Sequence, residues 1–466
     1  MKPFYNFLLF FMIFQSCIPN KVLYTNYGIT SLKKPINKII NDSNVDVSLG
    51  IKIVSLKNGK TLYELNSEKL FTPASNNKLY TLGASLHYLG EDHIFTTSVL
   101  QDGKNLILKG SGDPDLTVAQ LDSLAIRSAQ SINFVDTLFL DATLMDSVYF
   151  GNGWMWDEGP WWYAAPISAL SLNDNCIDFI INPGEIDEPA NIKTYPKTDY
   201  ISISNNSLTI KQNPNIEKIF IERDFIKQKN HFTISGSIKN GAASDTLKRN
   251  IKNPALFTGT IFKELLNKYG VVVNQIAITS ITKKSIPIAL HTSKSLLHSA
   301  QNLMNESDNL TAELFVKKIG LTNHKQGDWK NGLHNIKIFL NDSVGIDTTL
   351  IKIVDGSGLS RYNLTSASEI CTFLEWIFNS QHKNDFISCL PTGGMKKGTM
   401  EDRLKIAGNM IRVKTGGLSG VTNISGYIFS PRYGPIAFSI LTNGYIGDSN
   451  PYRSLQDKII QYIIDD

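Results

Sequence analysis

Apolar residues follow two different spacings near the start of the chain, and each spacing predicts a different element. Over 47–53 they alternate with polar residues, as in a half-buried strand. A second such run at 62–65 follows Asn58-Gly59, a pair typical of tight turns, so a hairpin is predicted. Helical spacing then predicts a helix from about 75 to 90, on the apolar residues Leu79, Leu82, Leu86 and Leu89.

Short runs rich in β-branched and aromatic residues, separated by turn residues, recur through the middle of the chain. We expect a β-rich insertion of one or two subdomains with the bounds 96–288. Its predicted strands are 105–108, 135–140, 178–181, 200–203, 218–221 and 231–238.

A helix is predicted again at 254–269, and from there to the end of the chain the pattern predicts both helices and strands. Further helices are predicted at 295–319, 367–378 and 451–464, and strands at 411–418, 423–429 and 436–441. Residues 18–95 and 289–466 therefore supply one domain of sheet and helix, which the insertion interrupts. The predicted fold class is α/β, in the α+β sense.

The first residues of the chain read as a secretory signal. Met1-Lys2 is followed by an apolar run over 4–14, which is too short to span a bilayer as a permanent helix. Cys17 directly after Ser16 resembles a bacterial lipobox, although Gln15 departs from the commonest pattern. We predict a signal at 1–17, a lipid on Cys17 that attaches the chain to a membrane, and a location in the cell envelope or periplasm. Ordinary secretion is the alternative.

Charge and cysteine content narrow the function classes. The net charge of +4 over 466 residues gives no basis for nucleic-acid binding. Cys176, Cys371 and Cys389 show no C-x-x-C spacing; buried free thiols are expected, with a Cys371–Cys389 bridge as the alternative. The histidines form no H-E-x-x-H or similar cluster, so neither a metal site nor a cofactor is predicted.

A candidate nucleophile lies where the first predicted helix begins. Ser75 and Lys78 are three positions apart, so a helix places them on the same face. The positive field of the helix N-terminus disfavours the charged amine, which allows Lys78 to act as a neutral base for the Ser75 hydroxyl. Ser-x-x-Lys also occurs at Ser31 and Ser380, so this spacing alone is weak evidence.

Two further motifs follow in order. They are Ser307-Asp308-Asn309 and Lys414-Thr415-Gly416, and the second occurs once and lies on a predicted strand. Together with Ser75-x-x-Lys78 they match the active-site signature of penicillin-binding proteins and β-lactamases.

From about residue 30 to its end the chain resembles one family in particular, the secreted D-alanyl-D-alanine carboxypeptidase/endopeptidases, or low-molecular-mass class C penicillin-binding proteins. The 232 positions from Ser75 to Ser307 match the large insertion of that family, whereas β-lactamases have only a short segment there. Its other landmarks in this chain are Gly110–Pro114, Gly153-Trp154, Ser168–Asn175, Asn253-Pro254, Asp355–Arg361 and Gly398-Thr399 with Arg403.

This resemblance implies a penicillin-binding transpeptidase-like fold and roles for four residues of the first two motifs. Ser75 is implied as the acylated nucleophile and Lys78 as its general base. Ser307 and Asn309 would relay a proton to the leaving D-alanine and hold the peptide backbone. The implied substrates are peptidoglycan stem peptides, and β-lactam antibiotics would be covalent inhibitors.

The third motif is implied to bind the end of the substrate. Lys414 would supply positive potential and Thr415 would donate to the terminal carboxylate, with Gly416 between Thr415 and the oxyanion donor. That donor is the backbone N–H of Gly417, paired with the N–H of Ser75. Family members usually carry Thr or Ser where this chain has Gly417, so a carboxylate-binding hydroxyl is missing.

Two more segments are expected near the cleft. Asp157 and Glu158 lie where the family has acidic residues, and they are candidates to pair with the ammonium of a diamino acid in the stem peptide. The loop Asp355–Arg361 is expected to buttress the site.

Two other functions remain open at this point. A serine β-lactamase would need a carboxylate that activates the deacylating water, and no such motif is recognisable. The third possibility is a catalytically silent, wall-binding lipoprotein that kept the fold.

Overall fold

The computed structural model describes residues 30–465 except 212–217, 225, 226, 228 and 280–284. The predicted signal at 1–17 and its lipidation site Cys17 lie outside the described residues. The first strands are β1 Ser48–Ser55, β2 Thr61–Leu65, β3 Ile94–Asp102, β4 Asn105–Lys109, β5 Phe134–Asp141, β6 Cys176–Asn182, β7 Asn191–Tyr195, β8 Ser202–Asn205 and β9 Leu208–Ile210. The later strands are β10 Phe220–Arg223, β11 His231–Ser235, β12 Ser237–Lys239, β13 Asp245–Asn250, β14 Val272–Ile278, β15 Ile286–Ser295, β16 Ile411–Leu418, β17 Val421–Ser430 and β18 Gly434–Asn443.

The helices are distributed over the whole described chain. They are α1 Thr30–Asp42, α2 Lys78–Tyr88, α3 Val118–Ala129, α4 Pro254–Lys268, α5 Leu296–Asn305, α6 Asn309–Gly320, α7 Trp329–Ile338, α8 Ala367–Asn379, α9 Lys383–Cys389 and α10 Asn450–Asp465. Within the described residues, none of them combines the length and the apolar composition needed to cross a membrane.

An antiparallel sheet in the order β16-β17-β18-β1-β2 joins the two ends of the described chain. The predicted hairpin is confirmed, since Ile51 lies opposite Leu65 and Ile53 opposite Tyr63. Gly59 has a positive φ of 67°, the conformation for which a turn selects glycine. The strand carrying Lys-Thr-Gly, β16, lies at one edge of this sheet.

Alternate residues of the sheet face two different helical layers. Ile424 and Val413 belong to one apolar core with Ile459 and Ile460 of α10. Residues of the other face, such as Tyr427, belong to the core formed by α2, α5, α6 and α8. The start of α2 is thereby brought against the edge strand β16, where the active-site motifs meet.

A second sheet, in the order β14-β5-β4-β3-β15, forms the main part of the inserted region, with α3 and α4 in the same core. Three smaller sheets are β13-β6-β7, β10-β11-β8 and β12-β9. The helix α3 was not predicted, although Thr117 and Gln120 form a capping box at its start. The first strand of this second sheet, β3, begins at Ile94, and its last strand, β15, ends at Ser295. The sheet thus extends slightly beyond the predicted bounds of the insertion, 96–288, and these bounds stay a prediction.

Three predicted elements are wrong in detail. The strand predicted over 231–238 is two strands of different sheets, β11 and β12, separated at Gly236, which has a positive φ of 87°. The single helix predicted over 295–319 is two helices, α5 and α6, because Ser307 adopts a φ of 63° that no helix accommodates. Ser75 lies in a 3-10 turn, Ala74–Asn77, before α2 rather than in the α-helix itself. The expected free thiols are present: Cys176, Cys371 and Cys389 are unpaired and buried.

Candidate active site

Two buried amides hold the turn that carries Ser75. The Asn76 side chain donates to the Ser425 hydroxyl on β17 at 2.6 Å, and Asn77 donates to the carbonyl oxygen of Asp355 at 2.7 Å. Both side chains are buried, whereas Ser75 keeps partial exposure. The turn is therefore fixed between the sheet and the 355–361 loop, with the candidate nucleophile left accessible.

Lys78 is buried, with 0 % of its surface exposed, and its amine touches three oxygen atoms. Its Nζ lies 3.0 Å from Ser75 Oγ, 2.6 Å from Asn309 Oδ1 and 2.9 Å from the Ser357 carbonyl oxygen. Burial lowers the pKa of Lys78 to about 8, and nearby carboxylates oppose part of that shift. At pH 7 about a tenth of this amine is therefore neutral, far more than for an ordinary lysine, and this neutral form is the one that a general base requires.

The second motif lies at the break between α5 and α6. Asp308 caps α6 by accepting from two backbone N–H groups at its start, which leaves Ser307 in the connecting turn. Ser307 Oγ accepts a 2.9 Å hydrogen bond from Lys414 Nζ. Asn309 accepts from Lys78 and donates through Nδ2 to the Tyr163 carbonyl oxygen at 2.8 Å.

Lys414 reaches inward from β16 and is also fully buried, with 0 % exposed. Besides Ser307, its amine donates to the Thr415 carbonyl oxygen at 2.9 Å. Burial, and then the nearby charge of Lys78, hold the pKa of Lys414 well below its ordinary value. A bound anion at this place would restore the charged form.

The free edge of β16 faces the cleft. The Val413 N–H points away from β17 and donates to the Pro391 carbonyl oxygen at 3.0 Å. In a strand, N–H groups two residues apart point the same way, so those of Thr415 and Gly417 point to this same edge. The Gly417 N–H is consequently directed away from β17, as an oxyanion donor must be.

The two glycines after Thr415 differ in the room around them. A Cβ at Gly416 would lie 2.6 Å from the Pro73 carbonyl oxygen, so only glycine lets the Ser75 turn approach β16. A Cβ at Gly417 would meet no atom within 4 Å. Close packing therefore requires glycine at position 416, whereas position 417 has room for a side chain beside the cleft.

Two buried carboxylates hold the loop 355–361. Glu313 accepts from the backbone N–H of Gly356 at 2.9 Å and of Ser357 at 2.7 Å, and from the Trp329 indole. Burial raises the pKa of Glu313 to about 7. Asp355 accepts from two backbone N–H groups of its own loop and from the side chains of Trp154 and Asn363. The loop therefore presents the Ser357 carbonyl to Lys78 in a fixed position, consistent with the expected buttressing role.

A cleft of about 770 Å³ opens above Ser75. Ser307, Asn309, Thr415, Gly416 and Gly417 line it on the two motif-bearing sides. Asp157, Glu158, Trp162 and Tyr163 line the same cleft.

Comparison with known proteins identifies the family. The model of the D-Ala-D-Ala carboxypeptidase 3 (S13) family matches residues 32–462. The chain belongs to this family. The D-alanyl-D-alanine carboxypeptidase of Actinomadura sp. (strain R39) is 30% identical over 458 residues, 92% of this chain and 84% of the relative. The D-alanyl-D-alanine carboxypeptidase DacB of Haemophilus influenzae is 26% identical over 466 residues, 94% and 93% of the two chains.

Solved structures agree on the fold of this S13 carboxypeptidase. Penicillin-binding protein 4 of Haemophilus influenzae superposes with a TM-score of 0.80 at 23% identity, covering 92% of this chain and 99% of that one. The same protein complexed with a β-lactam gives 0.75 at 22% identity, with the same coverage. The predicted mixed α/β penicillin-binding fold is confirmed, and so is the predicted serine-type D-Ala-D-Ala carboxypeptidase activity, through membership of the family.

The structure brings the predicted motif residues of this S13 carboxypeptidase together in two hydrogen-bonded groups. Ser75, Lys78 and Asn309 form one group, and Ser307 and Lys414 form the other. Sequence reasoning missed Glu313 and the Ser357 carbonyl. Glu313 follows Asn309 by four positions, so helical spacing places both on one face of α6, and that was the available signal.

Proposed function

We propose that this S13 enzyme removes the terminal D-alanine from peptidoglycan stem peptides, and cleaves D-Ala cross-links, through an acyl-enzyme on Ser75. The observation that carries the proposal is a fully buried Lys78 amine 3.0 Å from the Ser75 hydroxyl, with its pKa lowered to about 8. A buried neutral amine at hydrogen-bond distance is the base that a serine nucleophile needs.

In the acylation step, Ser75 Oγ forms a bond to the carbonyl carbon of the penultimate D-alanine while its proton passes to Lys78 Nζ. The carbonyl oxygen becomes negative and is bound by the N–H groups of Ser75 and Gly417. When the tetrahedral intermediate collapses, the C–N bond breaks and the leaving amine takes a proton from the Ser307 hydroxyl, which Lys414 holds. The proton that Lys78 took from Ser75 then passes to the Ser307 oxygen, so both Lys78 and the Ser307 hydroxyl return to their starting states. Removal of one oxyanion donor from such a site costs about 3–4 kcal/mol of barrier.

Asn309, Lys414 and Thr415 would position the substrate. Asn309 is fixed by Lys78 on one side and by the Tyr163 carbonyl on the other, and it lines the cleft, where it would contact the peptide backbone of the substrate. Thr415 would donate to the terminal carboxylate, and Lys414 would supply charge next to it. Water then hydrolyses the ester, with Lys78 again taking the proton.

Asp157 and Glu158 would bind the free ammonium of a diamino acid in the stem peptide. Both carboxylates line the same cleft as Ser75. Amines on stem peptides are cations near pH 7, so two carboxylates in the lining of the cleft give a complementary charge.

Covalent labelling tests the nucleophile. Fluorescent penicillin is expected to label the protein, and Ser75→Ala to abolish labelling. Ser380 is a matched control, because it also precedes a lysine by three positions, so Ser380→Ala should label as well as the unchanged enzyme. Labelling that survives Ser75→Ala would overturn the assignment.

Digestion of intact sacculi followed by muropeptide analysis tests the substrate. Release of D-alanine together with loss of cross-linked dimers is the expected result. Unchanged muropeptides would instead favour a silent wall-binding protein, and rapid nitrocefin turnover rather than one stoichiometric burst would favour a β-lactamase.

The enzyme is proposed to act in the cell envelope, where its substrate is. The support for a lipid on Cys17 is the signal-like sequence at 1–17 alone. Incorporation of labelled palmitate that is lost in Cys17→Ala would support the anchor, and its absence in the unchanged protein would refute it.

A further inference from the structure

The missing hydroxyl at Gly417 lies on a defined face of the edge strand. Residues two apart on a strand share a face, so Gly417 lies on the face of Thr415 and Val413. Val413 packs in one core with Ile459 and Ile460, so this is the face that α10 covers. At Gly417, past the end of that core, a Cβ on this face would meet no atom within 4 Å.

The first turn of α10 brings Arg453 to that space. Gly417 pairs with Thr422 across β16 and β17. The Thr422 carbonyl accepts a 2.8 Å hydrogen bond from Gln456 Nε2, which fixes α10 over this pair. Arg453 precedes Gln456 by three positions and so lies on the same side of the helix. It lines the cleft together with Ser75 and Gly417.

Three arginines line the cleft, and two of them are already engaged. Arg403 binds Asp457 at 2.6 Å and Gln456 at 3.1 Å, and Arg361 donates to the Ser419 carbonyl at 2.9 Å. Among the described residues, nothing accepts a hydrogen bond from the Arg453 guanidinium or forms an ion pair with it. An exposed, unengaged cation in a catalytic cleft is available to a substrate anion.

We propose that Arg453 binds the terminal carboxylate of the D-Ala-D-Ala substrate and replaces the hydroxyl that Gly417 lacks. This inference rests on the function proposed for Ser75. A guanidinium suits the task because it can bind a carboxylate through two parallel hydrogen bonds. A guanidinium is always charged in proteins, whereas burial lowers the pKa of the Lys414 amine.

The test compares two probes of one acylation reaction, a penicillin with its free carboxylate and the methyl ester of the same penicillin. Arg453→Gln is expected to lower the second-order acylation rate constant of the acid by at least about tenfold, the effect of losing one hydrogen bond between charged groups. The rate constant of the ester should stay within about twofold. Lys458→Gln is the control, since it removes one exposed positive charge from α10 outside the cleft.

An equal loss on acid and ester, or no loss on either, would overturn the proposal. The double variant Gly417→Thr, Arg453→Gln should recover much of the rate constant of the acid. If it stays as slow as Arg453→Gln alone, the two positions do not serve one carboxylate. Failure of the proposed function would look different, because the unchanged enzyme would then form no covalent adduct at Ser75 with either probe.

Discussion

Lys78 and Asn309 are 231 residues apart in the chain and are joined by a 2.6 Å hydrogen bond. The Lys78 amine has two further partners, the Ser75 hydroxyl and the Ser357 carbonyl. Neither the Asn309 amide oxygen nor a carbonyl can donate a proton, so only the hydroxyl can donate to a neutral Lys78. Loss of the ammonium proton therefore reverses one hydrogen bond, and the bond that reverses is the one to the nucleophile.

The rate of acylation should consequently follow the neutral fraction of Lys78. Because burial lowers the pKa of Lys78 to about 8, the rate constant with fluorescent penicillin should rise with pH up to that value and level off above it. Below pH 8 the rise should be roughly tenfold per pH unit. Stopped-flow or gel-based labelling between pH 5.5 and 9.5 measures it, and a flat or falling profile would contradict the role of Lys78.

Asn309→Asp should move this profile to higher pH. A carboxylate at the position of the Asn309 oxygen would stabilise the ammonium form of Lys78, and such a contact raises an amine pKa by about 1–3 units. Acylation at pH 7 should fall at least about tenfold and recover as the pH is raised. Asn309→Ala is the control: it removes the same contact without adding charge, so its rate should not recover at high pH in this way.

Residue patterns were sufficient to predict which residues form the site, but not the backbone conformation that holds them. Ser75, Lys78 and Asn309 were found because their motifs are short and local. The contact between Ser75 and Lys78 followed from their spacing, but the hydrogen bond between Lys78 and Asn309 did not, since the fold brings them together across 231 residues of chain. The break at Ser307 was hidden because apolar spacing continues through it from α5 into α6, and only its positive φ interrupts the helix.

Buried charges were the other feature that the sequence did not reveal. Glu313 and Asp355 read as ordinary polar residues of a helix and a loop. In the structure both side chains are fully buried, and their oxygens accept hydrogen bonds from backbone N–H groups of the 355–361 loop. Such partners come from tertiary packing, which residue spacing cannot show.

Gly416→Ala and Gly417→Ala form a matched pair that tests the packing between β16 and the Ser75 turn. The first places a Cβ 2.6 Å from the Pro73 carbonyl, whereas the second meets open space. Gly416→Ala should lower the free energy of unfolding by about 1–3 kcal/mol, as overpacking does, and should strongly slow acylation. Gly417→Ala should change stability by less than about 0.5 kcal/mol. Denaturant unfolding measures both, and equal stabilities would show that the turn can move away from the strand.

Asp355→Ala should destabilise the protein and impair the site together. The Asp355 carboxylate accepts from two backbone N–H groups, at 2.8 and 2.6 Å, and from the Trp154 and Asn363 side chains. Each donor left unsatisfied in a buried place costs about 1–3 kcal/mol, so a loss of at least about 3 kcal/mol is expected in denaturant unfolding.

The same variant should slow acylation even under conditions where it stays folded, because the loop that Asp355 holds also carries the Ser357 carbonyl that binds Lys78. Asp402→Ala is the control for the loss of a carboxylate, since the Asp402 side chain is 89% exposed and forms a surface ion pair with Lys405. Surface pairs of this kind contribute between about 0 and 1 kcal/mol. If Asp355→Ala were no more destabilising than Asp402→Ala, the loop would not depend on this carboxylate, and the Ser357 carbonyl would need another support to keep Lys78 in place.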